Sequence, residues 1–186
     1  TKGIIDVSTY SLSIDASASI TGGSSNSYII ADKTIGGTVK KFITAIGAHT
    51  FPIGDATSSA DGTQYSPATI NFTAGNFSSA YILLNVEDSK EENNEADVDY
   101  ISRYWNLNGA GITAATYDFT GNFLAADING TDSNSKAGRY ATSSGWTVGA
   151  NIVASSNTLI LSGLTTTTGA ISLTCLVLKK VYSLTL

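Results

Sequence analysis

The sequence predicts an all-β protein: an antiparallel β-sandwich, immunoglobulin-like or jelly-roll-like, with an N-terminal β annex. Three observations predict this class. Only 13% of the 186 residues are charged, whereas helical domains are rich in Glu, Lys and Arg. Short apolar runs alternate with Ser, Thr and Asn, and helical periodicity is almost absent. Glycine-containing turn pairs, Asn108-Gly109 among them, separate these runs.

The predicted annex covers residues 1–48. Its short apolar pairs are separated by small residues, and each pair alone is too weak to form a stable sheet. This texture fits either edge strands or one or two rungs of a β-solenoid, packed on the main domain.

The predicted sandwich covers residues 49–186. Its strands are marked by apolar residues at every second position, which place one face of each strand in a core. The positions are Ile70 and Phe72; Ile101, Trp105 and Leu107; Tyr117 and Phe119; Leu159 and Leu161; and Ile171, Leu173, Cys175 and Val177. Residues 81–86 are more continuously apolar, which predicts a central strand. We expect Cys175 to be buried and inert.

The distribution of charged and apolar residues argues against two classes of partner. The net charge is −5, and residues 87–99 hold seven acids and one lysine, a local charge of −6. The remaining eight acids and nine bases sum to +1. The sequence has no basic patch with interleaved aromatics, which argues against nucleic acid. It also has no run near the roughly 18 apolar residues of a membrane span, which argues against membrane insertion.

Cysteine and methionine usage predicts an extracellular setting. One cysteine permits no intrachain disulfide, which is common in bacterial surface proteins. The chain contains no methionine, so we expect a processed mature protein or a fragment of a longer one.

The stretch from residue 48 to 70 holds the single histidine, His49, and both prolines, Pro52 and Pro67. A catalytic histidine needs a nucleophile and an orienting partner, and the sequence has no G-x-S-x-G motif. We therefore predict no catalytic residue and no enzyme activity. Proline belongs at strand starts and edges, so the stretch predicts a structural corner followed by a strand start.

Six short motifs occur in a familiar order. They are SYIIADKTIGGTVKKFI (27–43), TFPIGD (50–55), QYSPATINF (64–72), RYWNLNG (103–109), GRYATSSGW (138–146) and LSGLTTTTGAISL (161–173). This order resembles β-sandwich modules of secreted and cell-surface, adhesin-like proteins of the Bacteroidota, which are often exported by type IX secretion. The resemblance implies adhesion, surface coating or spacing within a long protein, with other domains of that protein as partners. The sorting domain typical of such proteins is not in this sequence, and residues 174–186 extend past the module.

The tail has two interpretations. As an unpaired edge it would add a strand to another copy in trans, with Val181, Tyr182, Leu184 and Leu186 as the strand-exchange residues. Alternatively, it pairs within its own sheet.

The acidic segment also has two interpretations. Carboxylates and amides are the ligands that calcium prefers, which makes calcium a candidate cofactor; the candidate ligands are Glu91, Glu92, Glu95, Asp97 and Asp99. Yet the spacing is not that of an EF-hand loop. The alternative is a solvated hairpin loop without a cofactor.

Trp146 follows a Ser-Ser-Gly turn and is the candidate for stacking on a glycan, although packing in the core is the alternative. Arg103 and Arg139 precede aromatic residues and are expected to stack on them or to pair with acids. The favoured function is a non-catalytic extracellular structural or adhesive module of a bacterial cell-surface protein. The alternatives are a self-assembling filament or surface-layer subunit and a carbohydrate-binding module.

Overall fold

The computed structural model describes residues 3–56, 64–130, 135–141, 144–148, 157–166 and 170–180; for residues 135 and 170–180 it describes the backbone alone. The predicted all-β class is confirmed, since 61% of the described part of the chain is strand. The strands are β1 (Ile5–Asp6), β2 (Ser11–Ile14), β3 (Ile29–Ile30), β4 (Thr38–Ile43), β5 (Gly47–Phe51), β6 (Ile53–Gly54), β7 (Ala68–Glu87), β8 (Tyr100–Ile101), β9 (Tyr104–Asn122), β10 (Ile128–Asn129), β11 (Ser135–Ala141), β12 (Gly145–Val148), β13 (Thr158–Thr166) and β14 (Ala170–Lys180). A 3-10 turn, Ala125–Asp127, precedes β10.

The N-terminal segment is a parallel stack, as in a β-solenoid. Strand β1 pairs with β3, and β3 pairs with β6, so that Ile5, Ile29 and Ile53 lie in one register. Strand β2 pairs in parallel with β4. Strands β1 and β2 form one rung of the stack, and β3 and β4 form the next. The rungs stack because a short apolar pair cannot bury its face without a neighbouring rung.

Two long strands organise the rest. Strands β7 and β9 pair antiparallel from Ala68 opposite Gly121 to Glu87 opposite Tyr104. Strands β5 and β4 lie on the other edge of β7, and β13 and β14 lie on the other edge of β9. The arrangement is consistent with the predicted sandwich.

Strand β9 folds back on itself. Trp105 and Phe119 are 14 residues apart, about 46 Å in a straight strand, yet their ring centroids are 5.7 Å apart. The bend falls where Gly111 and Ala114 have positive φ angles of 72° and 49°. Gly121 completes the contact, because a Cβ there would lie 2.8 Å from the Trp105 ring.

The predicted turn at Asn108-Gly109 is wrong, because both residues lie inside β9. A Cβ on Gly109 would lie 2.7 Å from the Tyr81 carbonyl oxygen of β7. This glycine therefore permits a close approach of two backbones, which is the other common use of glycine in a strand.

One hydrophobic core joins the stack to the sandwich. Val7, Ile29 and Val39 of the stack belong to the same buried cluster as Ile82 and Trp105. The predicted division between residues 48 and 49 falls inside β5. That division stays a prediction. Residues on both sides of it contribute to the same buried core.

The stretch with both prolines forms a corner between the two parts. The Pro52 carbonyl oxygen accepts from the Ile29 N–H at 2.9 Å, and the Ser66 N–H donates to the Ile53 carbonyl oxygen at 2.9 Å. Trp105 Nε1 donates to the Ser66 carbonyl oxygen at 3.1 Å. The proline-containing strand ends are thus bound to β3 on one side and β9 on the other, as a structural corner requires.

Candidate functional site

The chain concentrates its buried charge at one end of the sheet. Strand β7 ends there at Glu87, β9 begins at Tyr104, and β6 leads into Asp55. Arg103 lies immediately before β9 with a side chain that is 0% exposed. We call Arg103, Gln64, Asp55, Asp88 and Asp127 the arginine cluster.

Two of the three nitrogen atoms of the Arg103 guanidinium have acceptors, whereas Nη1 is buried without a hydrogen-bond partner among the described residues. Its Nε donates to Asp127 Oδ2 at 2.6 Å, and its Nη2 donates to Asp127 Oδ1 at 3.1 Å. The same Nη2 donates to Gln64 Oε1 at 2.6 Å and lies 3.1 Å from Asp88 Oδ2. Two carboxylates on one guanidinium compensate its burial, which a lone buried charge would not tolerate. The expectation that Arg103 pairs with acids is confirmed.

The carboxylates of the cluster also bind backbone. Asp55 is 1% exposed, and its Oδ2 accepts the Asp88 N–H at 2.8 Å. Asp127 Oδ2 accepts the Leu124 N–H at 2.7 Å, which closes the turn before β10. The cluster therefore fixes the strand ends and three loops relative to one another.

Asp32, in the turn between β3 and β4, is a second buried carboxyl near the cluster. Its Oδ1 accepts the Thr34 N–H at 2.7 Å. Burial, followed by the charge of Asp55, raises the pKa of Asp32, while backbone N–H groups from Ile35, Thr34 and Ala56 oppose the rise. This carboxyl is held in place by the turn although its charged form is disfavoured there.

The acidic segment is not the fully solvated loop that its charge predicts. Glu91, Asn94 and Asp99 are buried, whereas Glu92, Glu95 and Asp97 are exposed. Glu91 accepts from the backbone N–H and the side-chain amide of Asn93 at 2.9 and 2.8 Å. The loop supplies further bonds to itself, since the Ala96 N–H donates to Asn94 Oδ1 at 3.2 Å and Lys90 Nζ donates to the Ala96 carbonyl oxygen at 3.0 Å.

The calcium hypothesis stays a prediction. The five predicted ligands are divided between buried and exposed positions. Within the described residues, no group of three or more His, Cys, Asp or Glu side chains is placed to hold a metal ion.

Trp146 lies on β12 beside the acidic segment. Its Nε1 donates to the Asn93 carbonyl oxygen at 2.9 Å, and its ring is 5.5 Å from that of Tyr140. The side chain is half-buried. One ring edge is therefore engaged by the chain itself, and the glycan-stacking role stays a prediction.

His49 packs toward the Phe72 ring, at 6.1 Å between centroids. Burial, then the charge of Lys41, lowers the pKa of His49, and a bond to the Ala45 backbone opposes this. His49 and Lys41 line a cleft of about 360 Å³, but the Lys41 ammonium already donates to the carbonyl oxygens of Asp15 and Ala16. This arrangement agrees with a structural histidine.

The four strand-exchange residues lie outside the described residues, and so does the Cys175 side chain. The backbone of β14 pairs with β9 on one side and with β11 on the other as far as Lys180. The described part of the tail, residues 174–180, thus pairs within its own sheet.

Sequence reasoning found Arg103 but missed its partners. Gln64, Asp88 and Asp127 are distant in sequence, and only the pairing of β8 with β10 brings Asp127 to Arg103. A usable signal was present: an arginine that opens an apolar strand must be buried with an acid.

Comparisons with known proteins returned no match, neither to a protein-family model nor to a curated protein nor to a solved structure. Among the described residues, no helix is long and apolar enough to cross a membrane.

Proposed function

We propose that the chain is a non-catalytic extracellular module of a bacterial cell-surface protein, with a structural or adhesive role. Its mechanism is rigid presentation: the strands hold loops and neighbouring domains at fixed positions, and binding comes from surface area. The motif order that resembles type IX-secreted adhesin-like modules supports the setting.

The observation that carries the proposal is the arginine cluster. It joins the fully buried Arg103, at the start of β9, to side chains of three loops: Asp127, Gln64 and Asp88. Buried charge-assisted hydrogen bonds of this kind hold the segments that they join in fixed positions. A stiff end to a sheet built on strands of 20 and 19 residues suits a spacer that must keep its shape outside the cell.

The localisation is tested with intact cells of the bacterium that encodes the chain. An antibody raised against the folded protein should label unpermeabilised cells, and external protease should remove that label. A periplasmic protein serves as the control that the envelope is intact. Labelling that needs permeabilisation would contradict the proposal.

The role is tested with a strain that lacks the chain. Attachment to surfaces or the cell-surface coat should be lost and should return on complementation. A complementing variant with Arg103→Met, which leaves the sequences of the surface loops unchanged but loosens the cluster, should restore less. Unchanged attachment and an unchanged coat in the deletion strain would count against a structural or adhesive role.

A further inference from the structure

The cleft that contains His49 lies between the loop after β2 and the strands β4 and β5. Its volume is about 360 Å³, which is within the range of small-molecule sites. Residues 16–20 form one part of the wall, and Lys41 of β4 and residues 48–51 of β5 form another. Both strands pair with the same edge of β7, so the sheet fixes their part of the wall.

Lys41 places a positive charge in this wall. The residue is 8% exposed, and its Nζ donates to the carbonyl oxygens of Asp15 and Ala16 at 2.5 and 2.9 Å. A lysine ammonium carries three N–H donors, so one donor remains without an acceptor among the described residues. The ion pairs of that part of the chain all involve Arg103. Since buried charges are normally paired, the Lys41 ammonium lacks a counter-ion.

The Asp15 carboxylate does not fill this place. Asp15 is exposed, and its Oδ1 accepts the Ala16 N–H at 2.5 Å. Burial lowers the pKa of Lys41, and the charge of Asp15 opposes this without reversing it. The surroundings of the ammonium are therefore short of negative charge.

His49 contributes a second polar atom without a partner. Its ring lines the cleft, and its Nε2 is buried with no hydrogen-bond partner among the described residues. The bond to the Ala45 backbone therefore uses the other ring nitrogen. Nε2 can accept from a hydroxyl group or, once protonated, donate to a carboxylate. Lys41 and His49 thus each offer one polar contact that the chain itself does not use.

The other lining residues define the body of a ligand. Ile14, Ile20 and Phe51 are apolar, and the two isoleucines pack partly buried against the core. Ser17 and Ser19 add hydroxyl groups and are exposed. Among the described residues that line the cleft, none is acidic. The site therefore suits an anion with an apolar body, and the charge of Lys41 repels a cation.

We propose that this cleft binds a small organic carboxylate with an apolar body, such as a short-chain fatty acid or an aromatic acid. The carboxylate accepts the remaining N–H of Lys41 and lies beside His49. The alkyl or aryl part packs on Ile14, Ile20 and Phe51. This inference goes beyond the proposed structural or adhesive role, because it gives the chain a small-molecule ligand.

The test is an NMR titration of the ¹⁵N-labelled full chain with hexanoate and benzoate, each compared with its neutral amide. Because His49 is the only histidine, its ring signal is unambiguous. Both carboxylates should give saturable shifts at this ring and at the backbone N–H groups of residues 16–20 and 48–51. The amides should bind at least about tenfold more weakly, because a hydrogen bond to a charged acceptor is stronger than one to a neutral acceptor.

The pKa of His49 provides a second readout. Burial, then the charge of Lys41, lowers this pKa in the free protein. A carboxylate bound beside Lys41 compensates that charge, so the ring should titrate at a higher pH with saturating hexanoate than without it. Hexanamide should leave the midpoint of the ring titration unchanged.

Lys41→Met keeps the apolar stem and removes the charge. This variant should lose the preference for carboxylates over amides, with an unchanged circular dichroism spectrum. Lys40→Met is the matched control on the same strand, because the Lys40 ammonium lies over the rings of Phe42 and Tyr81 at 4.8 and 4.0 Å and does not line the cleft. The control should bind hexanoate as wild type does.

Three results would each overturn the inference: no shift at these residues with either carboxylate, equal binding of the amides, or a Lys41→Met variant that keeps the preference. If Lys41→Met does not fold, the comparison of carboxylate with amide on the wild type decides alone. None of these results bears on the labelling of intact cells, so the two proposals fail separately.

Discussion

At the residue scale, Arg103 keeps its charge in the interior because four oxygen atoms on three side chains surround it. A buried ion pair adds little stability compared with apolar side chains of similar volume in the same place. Removing only one partner is costly, because it leaves the other charge buried without compensation. The sequence shows which arginine opens the strand, but it does not show which of its acids lie close in space. That selection depends on pairing between strands far apart in sequence.

Arg103→Met is therefore expected to lower the free energy of unfolding by about 3–5 kcal/mol, measured by urea denaturation. The double variant Arg103→Met with Asp127→Leu should lose less than the sum of the single losses, because it removes both charges together. A single-variant loss below about 1 kcal/mol, the range of exposed ion pairs, would show that the cluster does not stabilise the fold.

The raised pKa of Asp32 predicts that the stability of the fold depends on pH. Its pKa is higher in the folded chain because of burial and the charge of Asp55. Such a carboxyl contributes stability that is present below its unfolded pKa and lost as pH rises through the folded pKa. Asp32→Asn, whose amide oxygen can still accept the Thr34 N–H, should therefore raise the urea midpoint at neutral pH and raise it less near about pH 3.

The control for that variant is Asp6→Asn. Asp6 is exposed and accepts the Ser8 N–H at 2.7 Å in the same kind of turn. Its replacement tests the loss of a carboxylate from a turn without burial. If Asp32→Asn shows no greater gain at neutral pH than in acid, the account of Asp32 is wrong.

At the element scale, the apolar pattern located the two ends of β7, at residues 70–72 and 81–86, but not the continuity of β7. Residues 74–80 contain Gly75 and two serines, which favour a turn, and the structure places β-bulges there. A bulge and a turn use the same residues. Only the partner strand β9, which pairs on both sides of the bulges, distinguishes them, and that information is not local.

The bend of β9 leaves no room for a side chain at Gly121. Gly121→Ala should lower stability by about 1–3 kcal/mol through overpacking, because its Cβ would meet the buried Trp105 ring at 2.8 Å. Gly138→Ala is the matched control, since that Cβ would lie 3.3 Å from the half-buried Trp146 ring. Urea denaturation should show the smaller loss for Gly138→Ala, and equal losses would contradict the packing of β9 on itself.

The acidic segment predicts a result with calcium. Because the Glu91 carboxylate already accepts two hydrogen bonds from Asn93 within the loop, the melting temperature should be the same with millimolar calcium and with EDTA. A ligand of the native state must raise stability by mass action. A clear rise with calcium would instead support the five predicted ligands.

At the scale of the whole molecule, composition and alternation were sufficient to predict an all-β sandwich, because both are set by local pattern. They left the annex open between edge strands and a β-solenoid stack. The union of the two parts was not predictable in this way. Val39 of β4 and Leu84 of β7 are directly opposite, yet neither sequence segment indicates the other. The result is one core that runs from the stack into the paired strands β7 and β9.

The most direct test of this account is hydrogen exchange measured by mass spectrometry in increasing urea. If the stack and the sandwich share one core, peptides covering β3–β4 and β7–β9 should lose protection together, at the same urea concentration. Peptides covering β1 should exchange earlier, since among the described residues that short strand is at the edge of its sheet. Loss of protection in β3–β4 at a lower urea concentration than in β7–β9 would contradict the single core and favour an annex that unfolds independently.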